Sequence, residues 1–288
     1  MSFKNYNITK EYKQIYFYLK ENHFSENYIK NLRKQSGFIK INNKNSNMNM
    51  PLKIGDVLSI KSSPNVKTDI QICNIPLNIV YEDIDYLLVY KESGIACMPT
   101  KSHYTNNLAG AICNYMFNKD KEFSLRILNR LDKDTAGIII IAKNSIAQKD
   151  IQQIDKTYTA ICQGKIDKYL IINKKIETLT INGINNIKRI ISENVKDATT
   201  EIYPIKYNQN MSLIELKLQH GRTHQIRVHL SSINHPLVGD SLYGEPSSLI
   251  NHTALICNKI SFYHPYKKEY LTFNIPYPND FKYLSDLI

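Results

Sequence analysis

The chain has 288 residues, with 37 Lys and Arg against 26 Asp and Glu, which leaves a formal charge of +11 and a pI near 9.2. That length accommodates a large domain and a smaller one, enough to bury about three quarters of the unfolded surface without disulfides. The five cysteines are odd in number and form no C-x-x-C pair, which argues against a disulfide framework and a four-thiolate zinc site and fits a reducing compartment. The opening stretch MSFKNYNITKEYKQ lacks the apolar core of a signal peptide, and the aliphatic run at 138–142 is far too short to span a membrane. A soluble cytoplasmic protein is expected. Lys, Asn, Ile and Tyr are abundant while Ala, Gly, Arg and Trp are scarce, so charge alone does not establish a nucleic-acid partner.

Between residues 10 and 34, Ile15, Leu19 and Phe24, then Tyr28, Ile29 and Leu32, recur at helical spacing around Ser25, a candidate N-cap. Two short helices follow from that pattern. GFIKINNKNSNMNMPLKIGDVLSIK breaks alternating runs with Asn-rich turns and Gly55-Asp56, giving small strands and a compact α/β module over residues 1–62. Residues 63–75 form a linker rich in Ser, Pro and Asn. From residue 76 onward, LNIVYEDIDYLLVYKESG reads as a hairpin turning at 82–85. Leu108, Ile112 and Met116 mark an amphipathic helix behind Asn106 or Asn107. Ile138 to Ile141 read as a strand buried on both faces, followed by a helix capped by Asn144. KTYTAICQGKI, TTEIYPIKY and MSLIELKLQ alternate with period two and read as antiparallel strands. Residues 76–288 are therefore an α+β domain with a mixed, mostly antiparallel sheet.

Two polar stretches stand against this apolar framework. In 129–137, NRLDKDTAG, extended backbone puts Arg130 and Asp132 on one face and turns Leu131 into the core. In 220–230, HGRTHQIRVHL, a glycine precedes a helix start whose Arg222, Thr223, His224 and Gln225 could meet a phosphate. His220 and His224 share helical spacing, but Gly221 interrupts them and no Glu or Cys completes a ligand set, so no metal is expected.

Together RLDKDTAG, KTYTA and GRTHQIRVHL..INHPLVGDSLYG resemble the signature stretches of the RluA family of RNA pseudouridine synthases, in the family's order. The likeness runs from Pro76 to Pro276, through VYEDIDYLLVYKESGIACMPT and LICNKISFYHPYKKEYLTF. GFIKINNK followed by LKIGDVLSI is similar to a small RNA-binding domain shared with a ribosomal small-subunit protein. The resemblance implies that Asp132 is the catalytic aspartate, that Arg130 enters the space left by a flipped nucleotide, that Tyr158 packs beside the uracil, and that Arg227 pairs with the catalytic carboxylate. It implies a pseudouridine synthase catalytic domain, no cofactor, an RNA substrate (ribosomal or transfer RNA) and no membrane partner. A monomer is expected.

Three positions depart from the family pattern: Asn129 where His is usual, Ala136 where Ser is usual, and Ile256 where His is usual. They leave the Asp, Arg and Tyr set intact. The alternative they raise is a non-catalytic RNA-binding or ribosome-assembly factor on the same scaffold. Asp134, the next residue on the face of Asp132, is expected to anchor its loop through Thr135 or a backbone N–H.

Overall fold

A computed structural model describes residues 3–22, 24, 26–61, 70–100, 104–119, 123, 125–181, 184–193 and 197–288. The proposed cap Ser25 and most of the expected linker lie outside the described residues. In the N-terminal module, β1 (Phe3–Asn7) precedes α1 (Ile15–Glu21) and α2 (Glu26–Arg33), followed by β2 (Ile39–Ile41), β3 (Lys44–Asn45) and β4 (Val57–Lys61). The four strands form one sheet in the order β1-β4-β2-β3. Ile15, Leu19, Ile29 and Leu32 from the helices meet Leu58 and Ile60 of β4 in a separate apolar core.

That small core is not self-contained. It includes Ile146, which belongs to the larger domain, and Tyr266 packs on its edge. Lys4 of β1 reaches the buried Asp85 at 2.6 Å and lies 3.5 Å from the centre of the Tyr266 ring. The basic module is thereby seated on the larger domain by an ion pair and a shared apolar contact.

The larger domain is built on β5 (Asn78–Glu82), β6 (Tyr86–Lys91), α3 (Leu108–Phe117), β7 (Ala136–Ala142), α4 (Ser145–Asp150) and β8 (Ile154–Gln163). There follow β9 (Leu170–Asn173), the hairpin of β10 (Ile176–Ile181) and β11 (Ile184–Ile191), then β12 (Thr199–Tyr207), β13 (Met211–Leu218) and α5 (Gln225–Ser231). The chain closes with β14 (Leu255–His264), β15 (Glu269–Asn274) and α6 (Asn279–Asp286). Nine strands form one sheet, ordered β5-β6-β7-β14-β8-β13-β12-β9, with β15 beside β14. All its pairings are antiparallel except the short one between β7 and β14.

Local chemistry explains the central elements. Asn107 caps α3 by accepting the Gly110 N–H, and Asn144 caps α4 by accepting from Ile146 and Ala147. Ile138 to Ile141 are fully buried in β7, which contributes roughly 2 kcal/mol per side chain from desolvation. Gly137 has φ +138, and a Cβ there would sit 2.5 Å from the Cys257 carbonyl, so the close approach of β14 to β7 requires glycine. Among the described residues, no helix is long and apolar enough to cross a membrane.

Candidate active site

Where the loop before β7 meets β8, β13 and the start of α5 a cavity of about 890 Å³ opens, large enough for a nucleotide. Arg130, Asp132, Tyr158, Arg222, Thr223, His224, Gln225 and Arg227 all line it. Residues from three separate stretches of sequence therefore converge on one hollow.

The loop before β7 presents the carboxylate. Leu131 is buried in the main core while Arg130 is exposed and Asp132 retains 26 % side-chain exposure, so alternation along extended backbone puts both charged groups at the cavity. Asn129 secures the loop from below: its Nδ2 donates to the Ile138 carbonyl at 2.9 Å and its Oδ1 accepts the Ile140 N–H at 2.7 Å. A buried amide thus substitutes for a neighbouring strand along β7. The turn after Asp132 closes when the Thr135 N–H donates to the Asp132 carbonyl at 3.2 Å. Asp134 contributes through its own carbonyl, which accepts from the Ser93 hydroxyl, and not through the side-chain bond expected of it.

Ala136 and Ile256 turn out to be one feature. They are register partners in the parallel β7–β14 pairing, and both belong to an apolar cluster with Ile161, Val238 and Phe281. An alanine beside an isoleucine keeps this junction free of polar groups that would need partners. The departures lie in the core behind the cavity and leave its acidic and basic groups untouched.

Arg227 differs from the expectation. Its guanidinium binds Asp240 bidentately, Nε to Oδ2 at 2.8 Å and an Nη to Oδ1 at 2.7 Å, both groups being buried. The fork geometry fits a carboxylate in a way a lysine cannot. Burial disfavours the charge of Arg227, but the hydrogen bonds and charge of Asp240, with Asp132 adding at longer range, hold its pKa above the ordinary value. Asp240 Oδ1 also accepts the N–H groups of Leu242 and Tyr243. Arg227 therefore reaches Asp132 through space, while the Asp240 pair fixes its position.

His224 also approaches the carboxylate, its Nε2 lying 4.0 Å from Asp132 Oδ2. His224 caps α5 in the left-handed conformation, φ 56, which turns its ring inward. Its Nδ1 is 2.9 Å from the Tyr243 hydroxyl, and that hydroxyl accepts the Arg189 N–H. With its oxygen so engaged, Tyr243 can donate to Nδ1, leaving Nε2 to carry the proton that faces Asp132. Burial pushes the His224 pKa down, aided by Arg227 and Arg189 against Asp132 and Asp240, so the neutral ring is favoured.

Gln225 is placed by the fold and not by a ligand. Its amide donates to the Thr199 carbonyl and the Thr200 hydroxyl, and its oxygen accepts the Arg222 N–H, so it pins α5 to β12. Arg222 and Thr223 stay accessible at the rim. Tyr158 is buried in the wall with 7 % exposure, and burial, aided by the nearby Cys257 and Asp132, holds its hydroxyl well above the usual tyrosine range. Lys156 and Lys133 line the same cavity and add positive charge that single-sequence motifs had not singled out. Among the described residues, no three His, Cys, Asp or Glu side chains group as a metal site.

Known proteins resemble this chain over most of its length. Residues 85–232 match the family model described as RNA pseudouridylate synthase. A Bacillus subtilis (strain 168) protein named Uncharacterized RNA pseudouridine synthase YhcT is 36% identical over 255 residues, covering 85% of this chain and 83% of that one. Ribosomal large subunit pseudouridine synthase D of Buchnera aphidicola subsp. Baizongia pistaciae (strain Bp) is 30% identical over 257 residues, covering 81% of this chain and 79% of its own. The solved structure of Human RNA Pseudouridylate Synthase Domain Containing 1 superposes with a TM-score of 0.55 at 25% identity, over 70% of this chain and 84% of that chain. The chain belongs to the RluA family of RNA pseudouridine synthases, enzymes that isomerise uridine within RNA.

Proposed function

We propose that Asp132 is the catalytic carboxylate and that the substrate is a uridine of structured RNA, ribosomal RNA of the large subunit in particular. The convergence of Asp132, Arg130, Tyr158 and Arg227 on a single nucleotide-sized cavity carries the reading. The reaction breaks the bond from ribose C1′ to uracil N1, turns the base, joins C1′ to C5, and removes the C5 proton while N1 gains one, so that product and substrate are isomers. It involves no net redox change. Asp132, ionised, attacks the sugar or base, or takes a sugar proton in a glycal route.

A stacked uridine must leave its helix to reach Asp132, at a cost of a few kcal/mol. Arg130, exposed at the rim, fills the vacated space and offsets that cost. The Tyr158 ring forms a wall for the extruded base, and Arg227, steadied by Asp240, contributes positive charge near the carboxylate. Arg222, Thr223, Lys133 and Lys156 contact phosphates around the mouth. The N-terminal module is an RNA-binding appendage, and the enzyme works as a cytoplasmic monomer, which its five buried free cysteines suit. The name of the Buchnera relative supports the choice of ribosomal RNA. Pseudouridine mapping across all RNAs of a deletion strain tests it: sites lost from large-subunit ribosomal RNA are expected, and losses confined to transfer RNA would refute the assignment.

A further inference from the structure

Residues 1–62 hold eleven Lys and Arg against four Asp and Glu, so the N-terminal module carries +7 of the chain's +11. Lys30 and Arg33 of α2, with Lys34 just beyond it, recur at the spacing of one helix face, and all three are exposed. The Arg33 guanidinium lies 5.7 Å from the centre of the Tyr16 ring on α1, and Phe17 beside that ring is 49 % exposed. Cations next to accessible rings suit the phosphates and bases of RNA.

The seat of this surface on the larger domain is built from charged and apolar contacts together. Asp85 Oδ1, buried, accepts both the Lys4 ammonium at 2.6 Å and the Asn144 amide at 3.0 Å. Asn144 in turn caps α4, whose Ile146 is wholly buried in the apolar core of the module. The Lys149 ammonium of the same helix lies 3.8 Å from the centre of the Phe24 ring. The Tyr266 ring, packed against Lys4, donates its hydroxyl at 2.6 Å to Asp150, the last residue of α4. The larger domain therefore completes the module's own core. Charges buried across such a seam offset their desolvation only in one geometry, which fixes the module in place.

β7 connects this seat to the loop of Asp132. Its seven residues, Ala136–Ala142, span roughly 20 Å at about 3.3 Å per residue. Tyr86, next to Asp85, is the register partner of Ala142, so Asp85 and α4 lie together at the end of β7 remote from Asp132. We propose that the N-terminal module is a fixed second RNA contact: seated by Lys4, Asp85 and α4, it holds structured RNA roughly 20 Å from the uridine in the cavity and selects substrates by that separation. The inference rests on the cavity as the uridine site. Such a contact strengthens binding without touching the reacting atoms, so it lowers KM and leaves kcat unchanged. A fragment that fills the cavity alone gains nothing from it.

Two measurements on the full-length protein test it. Nitrogen-15 relaxation should give the amides of the module and of the larger domain one tumbling time, and a module that tumbles independently would overturn the proposal. Fragments of large-subunit ribosomal RNA carrying the modified uridine, trimmed stepwise, should lose kcat/KM by at least ~10-fold at one step, where the fragment no longer reaches the module, while kcat holds. A gradual decline, or indifference to length, would overturn it. Lys4→Glu sets a second carboxylate against Asp85 and should abolish the step, acting on long fragments no better than wild type acts on short ones. A folded Lys4→Glu that keeps the full step would overturn the seat. If that variant does not fold, relaxation and trimming of the wild type decide. Wild type inactive on every fragment would refute the uridine site instead; binding of the same fragments then decides the proposal, supported by a ~10-fold loss of affinity at one length and sunk by none.

Discussion

Replacing Asp240 by alanine removes one half of a buried ion pair 13 residues away in sequence from its partner. The Arg227 guanidinium would lose both short bonds, at 2.8 and 2.7 Å, and remain buried without a counter-charge. Stranding one member of such a pair costs about 3–5 kcal/mol. The N–H groups of Leu242 and Tyr243 would also lose Oδ1, adding about 1 kcal/mol each unless water replaces it. A total of roughly 5–7 kcal/mol, at about 2–4 °C per kcal/mol for a domain of this size, corresponds to a fall of about 10–28 °C in Tm. Thermal unfolding by calorimetry measures it directly. Arg227→Met combined with Asp240→Leu should regain most of that stability, because a buried pair can be exchanged for apolar groups at little net cost. The double variant should nonetheless stay inactive in pseudouridine formation, since the cavity has lost its arginine. If Asp240→Ala unfolded within about 2 °C of wild type, the pair would not be the support that its geometry indicates.

Asn129→Ala should destabilise the protein by about 2–4 kcal/mol, because it leaves the Ile138 carbonyl and the Ile140 N–H unpaired in the core; urea denaturation reads this, and an unchanged midpoint would contradict it. Gly137→Ala should be worse still, since its Cβ would collide with the Cys257 carbonyl, and soluble yield and Tm should both fall. RNA affinity should drop steeply with salt, with Arg222→Ala and Lys156→Ala each reducing the logarithmic slope by about 1, in filter-binding titrations that Asp132→Asn leaves unaltered.

The sequence was most readable where local chemistry decided the structure. The isoleucine run of β7, the caps Asn107 and Asn144, and the alternation of Arg130, Leu131 and Asp132 each depend on a few adjacent residues. β1, with the polar sequence FKNYN, carries little signal of its own and becomes a strand because β4 supplies its hydrogen bonds. β9 and the β10–β11 hairpin were hidden by a chain so rich in Ile, Lys and Asn that alternation loses contrast. Long-range pairing produced the other differences. Gln225 looks like a ligand contact by residue type, yet Thr199 and Thr200 claim its amide. Asp240 lies beyond a glycine at φ +75, a turn that brings it beneath Arg227, and no periodicity links the two. The pairing of Ala136 with Ile256 likewise exists only in the register of β7 and β14, 120 positions apart in numbering. The nearness of His224 to Asp132 required the left-handed cap, which a histidine does not advertise.

The most direct measurement of the central claim compares pseudouridine formation by wild type and Asp132→Asn on large-subunit ribosomal RNA from a strain lacking the gene. Asp132 is partly exposed and stands 4.0 Å from His224, beyond a direct hydrogen bond, so the isosteric change should leave Tm and RNA affinity within error of wild type. The account predicts conversion by wild type and a loss of at least ~10⁴-fold in the variant. Equal conversion by both would contradict it.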